Sequence, residues 1–292
     1  MIPKEVLKNI RRIEITARKA VNDVFAGRYK SAFKGRGMEF EEVREYQPGD
    51  DIRSIDWNVT ARVGAPFIKK HREERELTVM LMVDVSRSMY TGLGAATKKK
   101  TAAELAAVLA FSAIRNNDKV GMMLFSDTVE LYVPPAKGSR HVLRIIRDVM
   151  HTEAKSKGTD IAGALEHLNR VQRKRAVVFL VSDFFGHDIS KTLAVTQRRH
   201  DVVAVTVRDA LEKELFAGGL LAVEDVEAGV SFLVDADDQR SKRAFADAVA
   251  AERVRLKKMF ASTGVGHIDI QDRERYIDDL VAYFNARHAR HH

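Results

Sequence analysis

The chain contains no cysteine in 292 residues, which removes disulfides, thiolate metal sites and thiol catalysis together. That composition suits a reducing compartment. No run approaches the roughly 20 apolar residues that cross a bilayer, and no apolar signal core follows the first charged residues. A cytoplasmic protein without a membrane span is the expectation. A phosphate-binding loop is excluded as well, since Gly92 and Gly94 are followed by no Gly-Lys-Ser/Thr. Aromatic residues are also missing from the basic clusters Lys98-Lys99-Lys100, Arg173-Lys174-Arg175, Arg198-Arg199 and Lys257-Lys258, where a base-stacking surface needs them. These clusters read as solvated helix ends, so nucleic acid is not expected as a partner. The formal charge of +8 suits approach to an acidic protein surface instead.

What is present is the composition of a globular chain, 45% hydrophobic and 31% charged. At roughly 100 to 200 residues per domain its length allows one large domain or two ordinary ones. Residues 3–25 place Val6, Ile10, Ile13, Ala17, Val21 and Val24 on one helical stripe. Partial alternation over residues 38–46, the turn Gln47-Pro48-Gly49-Asp50 and a second short run over 65–71 predict a small β module. Residues 51–57 predict a helical turn that presents the only tryptophan, Trp57, to a core. Arg44, Asp50, Asp51, Arg53, Asp56 and Arg62 read as an ion-pair network that fixes the turn, because acids and arginines are matched. We therefore expect residues 1–76 to form an N-terminal helix with a small β module, and residues 77–292 a second domain.

From residue 77 apolar strands alternate with helices, the pattern of a mostly parallel sheet covered on both faces. The stretch Thr78-Val79-Met80-Leu81-Met82-Val83 is a buried strand that ends on Asp84, Ser86 and Ser88. A helix over 97–115, apolar nearly all round, follows. Strands are expected over 119–125 and 129–133, the latter stopping before Pro134-Pro135, and a helix over 139–150. Thr159 stands where it can cap a helix over 161–171. Ala176-Val177-Val178-Phe179-Leu180-Val181 is a second buried strand, ending on Ser182-Asp183. Further strands are expected over 202–207, 230–234 (an edge strand) and 267–270, with helices over 241–263 and 273–287. Side chains that leave such strands at their carboxyl ends line the ligand crevice of an open α/β sheet. Hard oxygen donors there suit Mg²⁺, Mn²⁺ or Ca²⁺.

Asp84, Ser86, Ser88, Thr159 and Asp183, in that order, resemble the metal-ion-dependent adhesion site of von Willebrand factor A domains. Upstream, Gly37-Met38-Glu39-Phe40-Glu41-Glu42-Val43-Arg44-Glu45-Tyr46-Gln47-Pro48-Gly49-Asp50-Asp51-Ile52-Arg53-Ser54-Ile55-Asp56-Trp57 and Ala61-Arg62 are similar to the signature of the bacterial family called domain of unknown function 58. The resemblance implies a von Willebrand factor A-like, doubly wound, mostly parallel α/β sheet with helices on both faces. It also implies that the two aspartates and three hydroxyls hold a divalent cation, directly or through water. As a partner it implies a MoxR-type AAA+ ATPase, for which such proteins act as adaptors or co-chaperone-like components. Phe184 stands where many A-type domains have glycine, and Arg87 adds a positive charge within the first loop.

The enzymatic alternative is a haloacid-dehalogenase-like, Mg²⁺-dependent phosphohydrolase with Asp84 as nucleophile and Asp183 and Asp188 as later acids. Such enzymes carry a second aspartate two residues after the first, where this chain has Ser86, and that reading gives Ser88 and Thr159 no role. Hydroxyls without an adjacent base are poor nucleophiles. The expectation is a non-enzymatic interaction module whose metal keeps a position open for an acidic side chain of the ATPase or of a client protein.

Overall fold

The computed structural model describes residues 4–22, 28–33, 42–48, 50, 52, 55, 57–70, 76–91, 97–155, 158–209, 212, 219–225 and 230–290. Two compact units divide the chain, residues 33–76 forming one, and residues 1–32 with 77–292 the other. The first helices are α1 (Lys4–Ala20) and α2 (Arg28–Phe33). In the small unit β1 (Glu42–Glu45) pairs antiparallel with β2 (Phe67–Lys70), and α3 (Trp57–Val63) lies between them in sequence. Asp50 closes the turn before α3: its N–H donates to Gln47 O at 3.0 Å and its Oδ2 accepts from Gln47 N–H at 2.9 Å. Asp51, Arg53 and Asp56 of the expected ion-pair network, and Gly92 and Gly94, lie outside the described residues. Trp57 is 70% exposed rather than presented to a core, because so small a unit has little interior to offer an indole.

The large unit is built on a six-stranded sheet. Its strands are β3 (Thr78–Asp84), β4 (Lys119–Phe125), β5 (Val129–Ala136), β6 (Val177–Ser182), β7 (Asp201–Val207) and β10 (Gly266–Ile270). They lie in the order β10-β7-β6-β3-β4-β5, all neighbours parallel except the β4–β5 pair. The helices are α4 (Lys98–Arg115), α5 (Ser139–His151), α6 (Ile161–Val171), α7 (Ser190–Arg199), α8 (Gln239–Thr263) and α9 (Tyr276–Ala289). This is a doubly wound, mostly parallel α/β arrangement with helices on both faces of the sheet, as expected. Alternate strand residues such as Met80, Met82, Val178 and Leu180 share one core with Leu165, Leu168, Leu193 and Phe260 of α6, α7 and α8. On the other side α4 packs against β3, β4 and β7, and α5 against β4.

Three departures from the expected elements have physical causes. The amphipathic α1, grouped by its sequence position with the small module, packs against α4 and α5 and buries Ile10, Ile13, Ala17 and Val21. Strand β5 runs on through Pro134-Pro135 to Ala136, which an edge strand tolerates because its outer side needs no donors. Gly121 makes room opposite: a Cβ there would lie 3.0 Å from Pro135 Cγ. The strand expected over 230–234 is β9 (Val230–Asp235), and it pairs with β8 (Leu220–Asp225) in a separate hairpin rather than edging the main sheet. Its Phe232 and Leu233 are exposed, so it lacks the two buried faces of β3 or β6. Chain order along the sheet reverses between β3 and β6, and a crevice opens at the carboxyl ends of strands at such a switch point.

Candidate divalent-cation site

The first loop grows directly out of β3. Asp84 pairs with Phe125 of β4, while Val83 pairs with Val181 of β6, so the carboxylate emerges at the switch point, fully buried. Its Oδ1 accepts from Ser86 N–H at 2.8 Å. Its Oδ2 accepts from the Ser182 hydroxyl at 2.7 Å. Ser86 then leads into a single 3₁₀ turn, Arg87–Tyr90, which brings the Ser86 and Ser88 hydroxyl oxygens within 3.1 Å of each other. Burial, reinforced by the nearby Asp183 carboxylate, pushes the Asp84 carboxyl up to about 7 against the opposing hydrogen bonds from Ser86 and Ser182.

The second loop reaches the same rim through the backbone: Asp160 N–H donates to Ser126 O at 2.8 Å, and Ser126 directly follows Phe125. This places Thr159 at the carboxyl end of the sheet. The cap of α6 is Asp160, one residue beyond the expected Thr159, with Oδ1 accepting from Gly163 N–H at 2.9 Å. Ser126 itself donates to Glu130 at 2.7 Å, which holds its turn in place.

The third loop carries Asp183, nearly buried. Phe184, standing in the glycine position, adopts φ 56°, the left-handed conformation that costs a residue with a Cβ about 1–2 kcal/mol. The loop therefore keeps a glycine-like path. Phe184 is sealed against Phe260 with ring centroids 5.2 Å apart, while Phe185 is turned out and is 69% exposed. Asp188 of the phosphatase alternative is exposed and accepts from Ser190 N–H at 3.1 Å at the start of α7.

Three participants escaped the sequence reading: Ser182, Lys98 and Glu212. Ser182 orients Asp84 and also accepts from Phe184 N–H at 3.1 Å. Lys98, read as a solvated helix end, is 3% exposed; its Nζ donates to Asp183 Oδ2 at 2.8 Å and also to Glu212. Burial opposes the charge on Lys98, but the two carboxylates outweigh it and raise its pKa. Arg87, by contrast, is exposed, so of these two cations it is Lys98 that contacts Asp183. A signal for it was legible: three lysines occupy the first turn of α4 with no acid among them, where the helix dipole disfavours positive charge.

The donor set suits a hard cation. Adjacent oxygens of octahedral Mg²⁺, at about 2.1 Å from the metal, stand about 3 Å apart, which is the spacing of the Ser86 and Ser88 hydroxyls. Each oxygen of Asp84 retains a lone pair after accepting one hydrogen bond. Among the described residues no group of three or more His, Cys, Asp or Glu side chains is arranged as a metal site, so any site here depends on hydroxyl oxygens.

A family model described as "Protein of unknown function DUF58" matches residues 42–255. The chain belongs to this family. Among its relatives, the uncharacterized protein Rv1480 of Mycobacterium tuberculosis is 30% identical over 287 residues, covering 95% of this chain and 88% of its own. Among solved structures, an aerotolerance-related membrane protein from Bacteroides fragilis is 17% identical with a TM-score of 0.45, covering 72% of this chain and 99% of that one. The SpRpn10 VWA domain is 14% identical with a TM-score of 0.36, covering 70% and 94%. Among the described residues of this DUF58 chain, no helix is long and apolar enough to cross a membrane.

Proposed function

We propose that this DUF58 protein is a non-enzymatic interaction module that binds Mg²⁺, or Mn²⁺ or Ca²⁺ in its place, through Asp84, Ser86, Ser88, Thr159 and Asp183. The observation that carries the reading is the pair of hydroxyls 3.1 Å apart beside two carboxylates at the switch point of the sheet. The metal keeps a coordination position for an Asp or Glu of the partner, a charge-assisted contact. That partner is a MoxR-type AAA+ ATPase, or an acidic client presented to it, and the net charge of +8 favours its approach. Phe185, exposed next to Asp183, supplies an apolar contact at the rim. The phosphohydrolase reading is disfavoured by Ser86 in place of a second aspartate and by Asp188, whose carboxylate serves the start of α7.

The test is capture of a MoxR-type ATPase by the full chain in Mg²⁺ and in EDTA, with Asp84→Ala beside wild type and Mg²⁺ affinity read by calorimetry. At least a tenfold loss is expected in EDTA and in the variant. Equal capture under all conditions defeats metal-mediated docking. Mg²⁺-dependent phosphatase turnover abolished by Asp84→Asn would transfer the site to the enzymatic reading.

A further inference from the structure

The ammonium of Lys98 stands against a carboxylate of the proposed cation site. It lies 2.8 Å from Asp183 Oδ2 and is tethered from the first turn of α4, so its position is fixed by a long buried helix rather than by a mobile surface chain. Glu212 also accepts from the same ammonium. The Asp183 carboxylate is therefore neutralised from within the fold, and its Oδ1 accepts a long hydrogen bond from Phe185 N–H at 3.4 Å. A divalent ion drawing on Asp183 has to share or take over a carboxylate already paired with the Lys98 ammonium, and it is repelled by that positive charge across a largely buried space where screening is weak.

We infer that Lys98 is a tethered counter-cation that competes with the divalent ion for Asp183, making metal binding weak and readily reversible, with Glu212 receiving the ammonium when Asp183 turns to the metal. This rests on the metal reading above. It makes the site responsive to whatever supplies additional negative charge, so an acidic partner side chain and the metal strengthen each other's binding.

The test is Mn²⁺ binding to the full chain, by calorimetry and by paramagnetic resonance, for wild type, Lys98→Met and Lys98→Arg. Lys98→Met is expected to bind Mn²⁺ at least tenfold more tightly, and Lys98→Arg to stay near wild type because it keeps the charge. Unchanged or weaker binding by a folded Lys98→Met overturns the inference while leaving the metal site standing. Absence of Mn²⁺ binding by wild type and both variants overturns the inference and the metal reading together. If Lys98→Met does not fold, wild type decides the matter through lysine-directed acylation read by peptide mass spectrometry. Lys98 is expected to react several-fold faster in saturating Mn²⁺ than in EDTA, and equal rates overturn the inference.

Discussion

Lys98 and Lys99 open the same helix, are both buried, and meet opposite electrostatic environments. Lys98 faces two carboxylates. Lys99 donates to Tyr90 Oη and to Thr152 O, each at 2.6 Å, and its ammonium sits 4.4 Å from the Tyr90 ring centroid. It thereby ties the turn that carries Ser88 to the residue that ends α5, with neutral acceptors and a ring face as its direct partners in those contacts. Burial pulls its pKa down to about 8, against a weaker opposing pull from Glu153. Because the folded pKa lies below the unfolded one, the unfolded chain binds more protons as the pH passes 8, and stability from this residue rises with pH up to the ordinary lysine range. Below about pH 7 both states are protonated and the contribution is flat. Urea unfolding of wild type and Lys99→Met at pH 7, 8, 9 and 10 is expected to show wild type gaining on the variant by up to about 1.4 kcal/mol per pH unit above 8. A difference that does not change with pH would refute a destabilised ammonium at this position.

At the scale of elements, α1 shows how an amphipathic stripe finds its layer. Ile13 is buried and Ile15 exposed, and Arg18 of the same helix lies over the Phe111 ring of α4 at 4.5 Å. Ile13→Ala is expected to cost about 2–4 kcal/mol through the cavity it leaves, and Ile15→Ala less than about 0.5 kcal/mol, both read from urea midpoints at constant slope. Equal costs would mean that α1 is not docked on α4 and α5. Periodicity made such a stripe legible, as it did the buried strands β3 and β6, because burial on both faces leaves an unbroken apolar run. The first loop was legible for a related reason, since Asp84, Ser86 and Ser88 interrupt that run at its end. Partners far apart in sequence were not. Ser182 reaches Asp84 across 98 positions and Lys98 reaches Asp183 across 85, and only the order of strands in the sheet brings them together. Prolines in β5 and the hairpin β8–β9 were misread for a different reason: whether a strand lies at an edge depends on its neighbours and not on its own residues.

For the whole molecule, two kinds of electrostatics act at different ranges, and salt separates them. The charge of +8 is a long-range property that would draw an acidic partner toward the surface, and its reach shrinks from about 10 Å at 0.1 M salt to about 3 Å at 1 M. Contacts within the crevice, such as Lys98 with Asp183 at 2.8 Å, are buried and far less screened. If the proposed ATPase docks through the metal, its association rate is expected to fall at least tenfold between 0.1 and 1 M NaCl, because steering is lost. The dissociation rate, set by the metal-bridged carboxylate and the apolar contact at Phe185, is expected to change less than threefold. Surface-immobilised wild type with ATPase in flow, at saturating Mg²⁺, measures both rates in one experiment. A dissociation rate that rises steeply with salt while association stays constant would place the interaction on exposed ion pairs elsewhere on the surface, away from the crevice at the switch point.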